Sequence, residues 1–438
     1  MITVHVRYDR ILSATLQICK VAVLFLGLRL CAETAVYPTA LNKKGLQVQM
    51  VDDALVLGVQ HAGLNVNLCS LWQPAPGPGS ILFTNKGKVH AFSLPAVQGL
   101  DGTVKALSDH GVLISLIILA YESGDPLANR ALLHPKYDKA CPNHLGAFNT
   151  VTEEGQAAYQ ACLAFLAARY HGGIPQSGRV VNYIIGNEVN SHWFWSNRGR
   201  VSMEEFAVDY AMAIRLAQEA VAKYDPVARV FVSLEHHWNI HYPGGDTQQT
   251  FPARPFLELL AKLIREKGDI PWHVAFHPYP ENLFEPRFWN DASATTNKDT
   301  PRITFKNLEL LVDFLGQPQM TFQGKPRRII LSEQGFHAKP GAEGELNQAA
   351  AYALAYKRVA AMEGIDSFIL HRHVDHSAEG GLNLGLWERK ENSVADPGRR
   401  RKMYEVFKAA GTPAEEETFR FALPLIGITN WPTASALK

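Results

Sequence analysis

The sequence has few cysteines, no excess of charge of either sign and no obvious cofactor motif. Its five cysteines in 438 residues show no short paired spacing, so they indicate neither a zinc site nor a disulfide framework. The formal net charge is +1, which provides no general field to attract nucleic acid or an anionic membrane. We therefore predict no metal, no cofactor and no nucleic-acid partner.

The first 35 residues differ from the rest of the chain. Arg7, Arg10 and Lys20 precede an apolar run at residues 21–28, and Ala32 follows it. This order is typical of a secretory signal peptide, and the run is far shorter than the roughly 20 apolar residues of a membrane-spanning helix. We predict a signal peptide over residues 1–32, a secreted or periplasmic protein and no membrane span. The alternative is a misassigned start or a buried N-terminal segment.

Cleavage near Ala32 would leave three cysteines, Cys69, Cys141 and Cys162. Cys141 and Cys162 lie near each other in the sequence, so one disulfide between them is compatible with an oxidising compartment. Buried free thiols are the other interpretation.

From about residue 54 the chain alternates short apolar runs with longer segments of helical periodicity. The apolar runs are residues 54–60, 112–120, 180–186, 229–234, 272–277, 328–332 and 366–371. Their Val, Ile and Leu content with little polar alternation is typical of strands buried on both faces of a parallel sheet. The helical segments include residues 153–170, 203–224, 255–267 and 348–363. This alternation indicates βαβ units.

The alternation of strands and helices predicts an α/β fold, a (β/α)8 TIM barrel that forms one catalytic domain over residues 50–412. An eighth strand is required, and we expect it between Asn65 and Phe92, at residues 64–71 or 81–83. Residues 413–438 are predicted to be a C-terminal extension packed on the barrel, with a strand at 419–428. A doubly wound open sheet is the alternative, but no glycine-rich phosphate loop follows any of these strands.

Two glutamates follow apolar strands where a barrel places its active site, at the C-terminal ends. Residues 180–186 lead into Asn187 and Glu188, and residues 328–332 lead into Glu333. Either glutamate alone is compatible with a helix cap or an ion pair, but an acid beside apolar strand ends is costly without a partner or a task. A pair of carboxylates across a barrel mouth suits cleavage of a glycosidic bond, in which one protonates the leaving oxygen and the other attacks the anomeric carbon or activates water.

With Glu188 after the fourth strand and Glu333 after the seventh, the sequence resembles the large clan of retaining (β/α)8 glycoside hydrolases. It also resembles a little-studied group of bacterial glycosidase-like proteins with Gly-Asn-Glu, His-Pro-Tyr and Ser-Glu-Gln-Gly strings. The resemblance implies that Glu188 is the general acid/base and Glu333 the nucleophile of a hydrolase of β-linked glycans. It further implies that Asn187 contacts the sugar 2-hydroxyl and that Tyr279, in His277-Pro278-Tyr279, orients Glu333.

Other polar and aromatic residues near the predicted strand ends are candidates for binding an oligo- or polysaccharide, because aromatic faces stack on sugar rings while His and Asn bond hydroxyl groups. These candidates are His61, Trp193, His236, His237, Trp238, His277, His371, His373 and Trp387. For any one of the aromatics, packing in the core is the competing interpretation. Glu235 is a third carboxylate, ranked lower because no Asn or matching motif accompanies it.

The last strand departs from the clan. Clan members usually place a tryptophan under the sugar there, whereas this chain has His371-Arg372-His373, followed by Asp375 and His376, and Trp387 is a substitute platform. The departure affects the substrate more than the reaction. Arg372 is compatible with an acidic sugar or with a structural role.

Two other function classes remain open. A metal-dependent hydrolase on the same barrel would use His236, His277 and Asp375, although the first strand lacks His-x-His. A non-catalytic barrel that binds glycans would be expected to have lost one carboxylate, and both are present.

Overall fold

Eight parallel strands close into a barrel in the computed structural model, which describes residues 36–431. In chain order they are β1 Lys44–Gln47, β2 His61–Asn67, β3 Leu113–Leu119, β4 Asn182–Ile185, β5 Arg229–Glu235, β6 Trp272–His277, β7 Ile329–Leu331 and β8 Ile365–Leu370. Each strand pairs with the next along the chain, and β8 closes the barrel on β1 with Gly45 opposite Ile369. The predicted α/β TIM barrel is confirmed.

Helices connect the strands and cover the outside of the barrel. They are α1 Val51–Val56, α2 Leu68–Leu71, α3 Leu94–Asp109, α4 Pro126–Leu132, α5 Glu153–Tyr170, α6 His192–Trp195, α7 Met203–Ala222, α8 Ala253–Glu266, α9 Glu309–Leu315, α10 Ala342–Ala361, α11 Lys402–Ala409, α12 Glu415–Phe419 and α13 Ala422–Ile426. Single 3-10 turns occur at Val189–Ser191, Phe288–Asn290 and Pro318–Met320. Side-chain oxygens cap several of these helices; Ser93, for example, accepts a hydrogen bond from the N–H of Ala96 at the start of α3.

Two small antiparallel sheets lie outside the barrel. The first joins Trp72–Gln73, Ser80–Asn85 and Lys88–Ser93, and the second joins Trp387–Arg389 and Pro397–Arg400. Phe92 of the first sheet stacks on Phe165 of α5 with ring centroids 4.0 Å apart. This sheet therefore covers the outer face of α5, which explains why that helix is buried on almost every side.

The barrel interior is a small core of its own. It consists of Ile117, Leu119, Leu145, Ile184, Phe231, Ala275 and Ile330, with Tyr121 and Trp195 packed against it. These side chains fill the barrel, so polar groups that need access to solvent lie at its ends.

The two strands nearest the N-terminus differ from the prediction. Residues 54–60, predicted as a strand, form the second half of α1 and the turn after it. The first strand is Lys44–Gln47, which precedes the predicted domain start at residue 50. Two features favour a helix here: the acidic residues Asp52 and Asp53 in its first turn, and Gly58, with φ +68°, after its end. The apolar residues between them gave the segment the appearance of a strand. Of the two candidates for the missing strand, residues 64–71 overlap β2, whereas 81–83 belong to the antiparallel sheet.

The chain after the barrel is helical. Residues 419–428, predicted as a strand, lie in α12 and α13, and three glutamates in the first turn of α12 favour a helix there. Phe419 is fully buried and its ring contacts that of Tyr356 on α10.

The two ends of the chain lie partly outside the described residues. The predicted signal peptide, residues 1–32, lies outside the described residues. The barrel belongs to a compact unit of residues 39–438; of the other unit, residues 1–38, only 36–38 are described, and they form neither helix nor strand. Within residues 36–431 no helix is both long enough and apolar enough to cross a bilayer. Cys69, Cys141 and Cys162 are buried free thiols, so the Cys141–Cys162 disulfide is not formed.

Candidate active site

The two glutamates that follow β4 and β7 meet at the C-terminal mouth of the barrel. Glu188 adopts a left-handed backbone conformation, with φ +40°, directly after the turn that ends β4. Glu333 follows Ser332 at the end of β7. Both side chains are half-buried, and one carboxylate oxygen of each lies within 4.8 Å of the other and of a ring nitrogen of His277. The barrel thus places two acids and one histidine in a single cluster.

Glu188 is held by groups from the next two strands. Its backbone N–H donates to Oγ of Ser233 at 3.0 Å, and a hydrogen bond of 2.9 Å joins its Oε1 to Nδ1 of His277. Nε2 of His277 is bonded in turn to Oγ of Ser332 at 3.0 Å. Burial and the nearby charges of Glu333 and Glu235 raise the pKa of the Glu188 carboxyl, although the bond to His277 opposes the rise.

Glu333 accepts hydrogen bonds on both carboxylate oxygens. The hydroxyl of Tyr279 donates to Oε1 and the amide of Gln47 donates to Oε2, each at 3.2 Å. Burial alone would raise the pKa of Glu333, but the positive charges of His371 and His277 and the bond from Gln47 lower it. The proton of the pair is therefore favoured on Glu188 and the negative charge on Glu333.

Behind Gln47 lies a polar chain that the sequence analysis missed in part. Oε1 of Gln47 is bonded to Nδ1 of His371 at 2.7 Å, and Nε2 of His371 to Oε1 of Glu379 at 3.3 Å. Glu379 also forms an ion pair with Arg372. Gln47 and Glu379 were not predicted because β1 contains a single large apolar residue, Leu46, and Glu379 lies in a loop.

The third carboxylate, Glu235, is a buried structural anchor. Asn190 and Ser191 donate to its Oε1 at 2.6 and 2.9 Å, and the backbone N–H of His237 donates to its Oε2 at 2.9 Å. Burial would raise the pKa of Glu235, but the charge of His237 and these hydrogen bonds bring it to about 2. Glu235 is thus an ionised acceptor that joins the loops after β4 and β5.

The histidines after β5 are engaged with the protein. Nδ1 of His236 is bonded to the carbonyl of Tyr279 at 3.0 Å, which links the β5 and β6 loops. Nδ1 of His237 is bonded to Glu235 at 2.6 Å, and its Nε2 lies 3.3 Å from the guanidinium of Arg302. Of these two rings, His236 is the one with a nitrogen, Nε2, that has no hydrogen-bond partner among the described residues.

The residues predicted to contact the sugar differ in how far they are buried. Asn187, directly before Glu188, and Trp193, in α6, are half-buried. Trp238 is only 2% exposed, with its ring against those of Phe276 and Phe314, so its prediction as a sugar contact was wrong. Its apolar surface is used in packing between β6 and α9.

Trp387 is half-buried and lies at the side of the barrel mouth. Its indole N–H donates to Oδ2 of Asp53 at 2.8 Å, and the guanidinium of Arg400 lies 4.7 Å from its ring centroid. Its edge also meets Tyr404, with ring centroids 5.6 Å apart. The role of Trp387 as a platform stays a prediction.

Two of the histidines that were predicted to contact the sugar, His61 and His373, are bonded to other parts of the protein. His61 begins β2 instead of ending a strand, so it lies at the opposite end of the barrel from Glu188, where it is buried and bonded to the carbonyl of Asn42. His373 is buried, with Nε2 bonded to Asp53 at 2.9 Å and Nδ1 accepting from the backbone N–H groups of Gln49 and Met50. The prediction for His61 was therefore wrong, whereas the role of His373, both of whose ring nitrogens are bonded within the protein, stays a prediction.

The residues of the metal-dependent alternative are not brought together. In the described part of the chain, the clusters with metal-ligand geometry are Glu235-His236-His237 and Glu188-His277-Glu333, and neither contains Asp375. Asp375 instead pairs with Arg401 at 2.5 Å and accepts from the N–H of Gly385. Both ring nitrogens of His277 already have protein partners.

The solved structures that resemble this chain are glycosidases with low sequence identity. They include a family 39 glycoside hydrolase from Bacteroides cellulosilyticus WH2, with a TM-score of 0.53 and 14% identity over 83% of this chain and 60% of that one. A hyperthermophilic β-glucosidase from Pyrococcus furiosus has a TM-score of 0.53 and 17% identity over 86% of each chain. A glucosidase from Croceicoccus marinus has a TM-score of 0.50 and 14% identity over 86% of this chain and 68% of that one. At this identity the likeness establishes the fold.

The fold therefore defines the chain as a (β/α)8 TIM barrel that is similar in architecture to these glycosidases. The chain belongs to the family of unknown function DUF5722, which it matches over residues 36–434. A search of curated proteins found no relative of this chain.

Proposed function

We propose that this protein is a glycoside hydrolase that cleaves β-linked glycans with retention of configuration at the anomeric carbon. The observation that carries the proposal is the Glu188–Glu333 pair, with one oxygen of each within 4.8 Å of the other. Retaining enzymes have their carboxyl groups about 5–5.5 Å apart, whereas inverting enzymes need about 6.5–9.5 Å to leave room for a water molecule.

The directions of the pKa shifts support the following division of roles between the two glutamates. Glu188, whose pKa is raised, donates its proton to the glycosidic oxygen as the bond from that oxygen to the anomeric carbon breaks. Glu333, whose pKa is lowered, attacks the anomeric carbon and forms a glycosyl ester. Water then attacks the same carbon, Glu188 takes back a proton, and Glu333 leaves as a carboxylate.

The surrounding residues support this sequence of steps. Tyr279 and Gln47 each donate to one oxygen of Glu333, which holds the attacking carboxylate in place. His277 bonds the carboxyl of Glu188 and orients it toward the leaving group. The similar structures include two glucosidases and a family 39 glycoside hydrolase, so neutral β-glycosides are the first substrates to test.

The first experiment compares product release from a panel of aryl glycosides and glycans by the wild type, Glu333→Ala and Glu188→Ala. We expect Glu333→Ala to be inactive, because no other group can form the ester. We expect Glu188→Ala to be strongly slowed on natural glycans, by a factor of about a hundred or more, but partly restored by azide or by substrates with good leaving groups. Azide needs no general base, and a good leaving group needs no proton.

Glu235→Gln tests the third acid of the site, which is closed off by protein hydrogen bonds. We expect this variant to keep Glu333-dependent product release, although the loss of the Glu235 charge changes the pKa of Glu188. Full activity of Glu333→Ala would contradict the proposal. A panel on which the wild type releases no product but binds a glycan tightly would favour a non-catalytic binding protein instead.

A further inference from the structure

A large cavity opens beside the catalytic pair and takes no part in the mechanism described above. Its volume is about 690 Å³, within the range of about 300–1,000 Å³ typical of small-molecule sites. It extends from Gln47, whose amide is 3.2 Å from Oε2 of Glu333, along the end of β2 to the outer helix α3. The cavity therefore begins at Gln47, one hydrogen bond away from Glu333, and leads away from that carboxylate.

The order of strands gives the cavity a direction relative to the scissile bond. It is lined by residues of β1, β2 and the loop after β8, whereas Glu188 follows β4. In a closed ring of eight strands, β4 is opposite β8 and its neighbour β5 is opposite β1. Because the acid protonates the leaving oxygen, the leaving group lies on the β4 side, and the cavity lies on the side of the sugar that becomes bonded to Glu333.

The acid side has its own boundary. The rings of Phe194 and Tyr242, from the loops after β4 and β5, meet edge to face with centroids 5.0 Å apart. Burial and the charges of Glu188 and Glu235 raise the pKa of Tyr242, which is consistent with its place near the acid. Neither ring lines the cavity, so the two sides of the barrel mouth are separate surfaces.

The cavity wall carries unused hydrogen-bonding groups. Asn65 is exposed although it lies within barrel strand β2, and its side chain has no hydrogen-bond partner among residues 36–431. Asn65 pairs with Ile117 across β2 and β3, and Ile117 belongs to the barrel interior, so Asn65 faces the same mouth as the catalytic pair. An amide in this position offers both a donor and an acceptor.

The wall is electrically neutral overall. Among the described residues that line the cavity, Arg372 is the only Arg, Lys, Asp or Glu, and its guanidinium is paired with the carboxylate of Glu379. Burial and the charge of Arg372 lower the pKa of His376, which keeps its imidazole neutral near pH 7. Leu64, Leu100 and Val66 provide an apolar part of the wall. Amides beside apolar side chains suit an uncharged, hydroxyl-rich ring better than an acidic one.

We infer that this cavity binds a second neutral sugar unit, linked to the sugar that reacts with Glu333. The protein therefore acts on oligo- or polysaccharides and releases products of at least two sugar units from that side of the bond. The inference rests on the proposed hydrolase function and adds the size and charge class of its substrate.

The test uses two glycines of α3 as a matched pair. Gly99 lines the cavity and Gly102 does not, and a Cβ atom added at either position meets nothing within 4 Å. Gly99→Trp places a large ring at the cavity, whereas Gly102→Trp makes the same change one turn away on the same helix. Both changes gain similarly in helix propensity, so a difference between them reports the cavity.

The probes are para-nitrophenyl β-glycosides of glucose, galactose, mannose and xylose, each compared with the matching β-linked disaccharide. We expect the wild type to have a kcat/KM about tenfold higher for a disaccharide probe than for its monosaccharide, the gain from a few additional hydrogen bonds. Gly99→Trp should remove that gain and leave the monosaccharide rate unchanged. Gly102→Trp should behave as wild type, and Asn65→Ala should lose part of the gain through a raised KM.

Two outcomes would overturn the inference while the proposed function stands. One is a wild type that cleaves monosaccharide probes, in a Glu333-dependent manner, at least as well as every disaccharide. The other is a Gly99→Trp variant that keeps the preference for the disaccharide. By contrast, release that survives Glu333→Ala contradicts the proposed function itself, so the two failures are distinguishable.

Discussion

Glu188 and Glu333 are the same residue type in one cleft, yet their partners shift their pKa values in opposite directions. Glu188 is buried near two other carboxylates, which favours its protonated form, although its bond to His277 opposes this. Glu333 is bonded by Tyr279 and Gln47 and lies near two histidines, which favours its ionised form. This difference in surroundings, and not in residue type, separates an acid from a nucleophile.

His277 couples these two ionisations, which leads to a prediction about pH. Its hydrogen bond and charge lower the pKa of Glu188, and its charge lowers the pKa of Glu333. Activity falls at low pH as Glu333 takes up a proton and at high pH as Glu188 loses one. We therefore expect His277→Asn to raise both pKa values and to move both limbs of the pH profile of kcat/KM to higher pH, by about one unit.

The measurement is the pH dependence of kcat/KM on an aryl glycoside that the wild type cleaves. His110→Asn is the control, because the His110 ring lies on the surface and is bonded only to a backbone carbonyl of its own helix. A His277→Asn profile that shows no shift, or a shift to lower pH, would contradict this electrostatic role.

At the residue scale, the sequence predicted the two glutamates that the barrel brings together, but only part of their support. Glu188, Glu333 and Tyr279 could be predicted because each follows an apolar strand within a recognisable motif. Gln47 was not, because a four-residue strand with one large apolar side chain carries no periodic signal. The predictions for His61 and Trp238 failed because the sequence alone does not show at which end of a strand a residue lies. It also does not show whether a side chain faces the barrel mouth or packs against the surrounding helices.

At the scale of elements, Asp53 of α1 joins several parts of the fold beside the active site. Its carboxylate accepts from Nε2 of His373 at 2.9 Å, from the indole of Trp387 at 2.8 Å and from the hydroxyl of Tyr404 at 2.8 Å. One side chain thus connects α1, the loop after β8, the small sheet of Trp387 and α11. Burial would raise the pKa of Asp53, but these three hydrogen bonds lower it to about 2.

This lowered pKa predicts a dependence of stability on pH. The folded pKa of about 2 is below the ordinary value of 3.8, so the contribution of Asp53 is complete above about pH 4 and is lost as the pH falls toward 2. We expect Asp53→Asn to lower the free energy of unfolding at pH 7 by about 1 kcal/mol, after allowance for solvent screening. The difference from wild type should shrink between pH 4 and pH 2.

Urea denaturation of wild type and variant across that pH range measures the difference. Asp52→Asn is the control, since the neighbouring Asp52 is exposed. A difference between Asp53→Asn and wild type that stays constant down to pH 2 would show that the charge of Asp53 is not what joins these elements.

At the scale of the whole molecule, the barrel brings together residues that are far apart in the sequence, such as Gln47, Glu188, Glu333 and His371. The alternation of apolar strands and helices was sufficient to predict this architecture, because parallel strands buried on both faces have few other solutions. The cavity beside Gln47 was not predictable in the same way. It depends on how α3 is placed against the end of β2, and no local pattern encodes that distance.

The most direct test of the central claim is to identify the residue that becomes covalently bonded to the sugar. An activated β-glycoside with fluorine in place of the hydroxyl next to the anomeric carbon slows hydrolysis of the ester, so the intermediate accumulates. Peptide mass spectrometry then locates the label. We predict a single sugar on Glu333, formed by the wild type and by Glu235→Gln but not by Glu333→Ala. A label on another residue, or an active enzyme that never becomes labelled, would contradict the account.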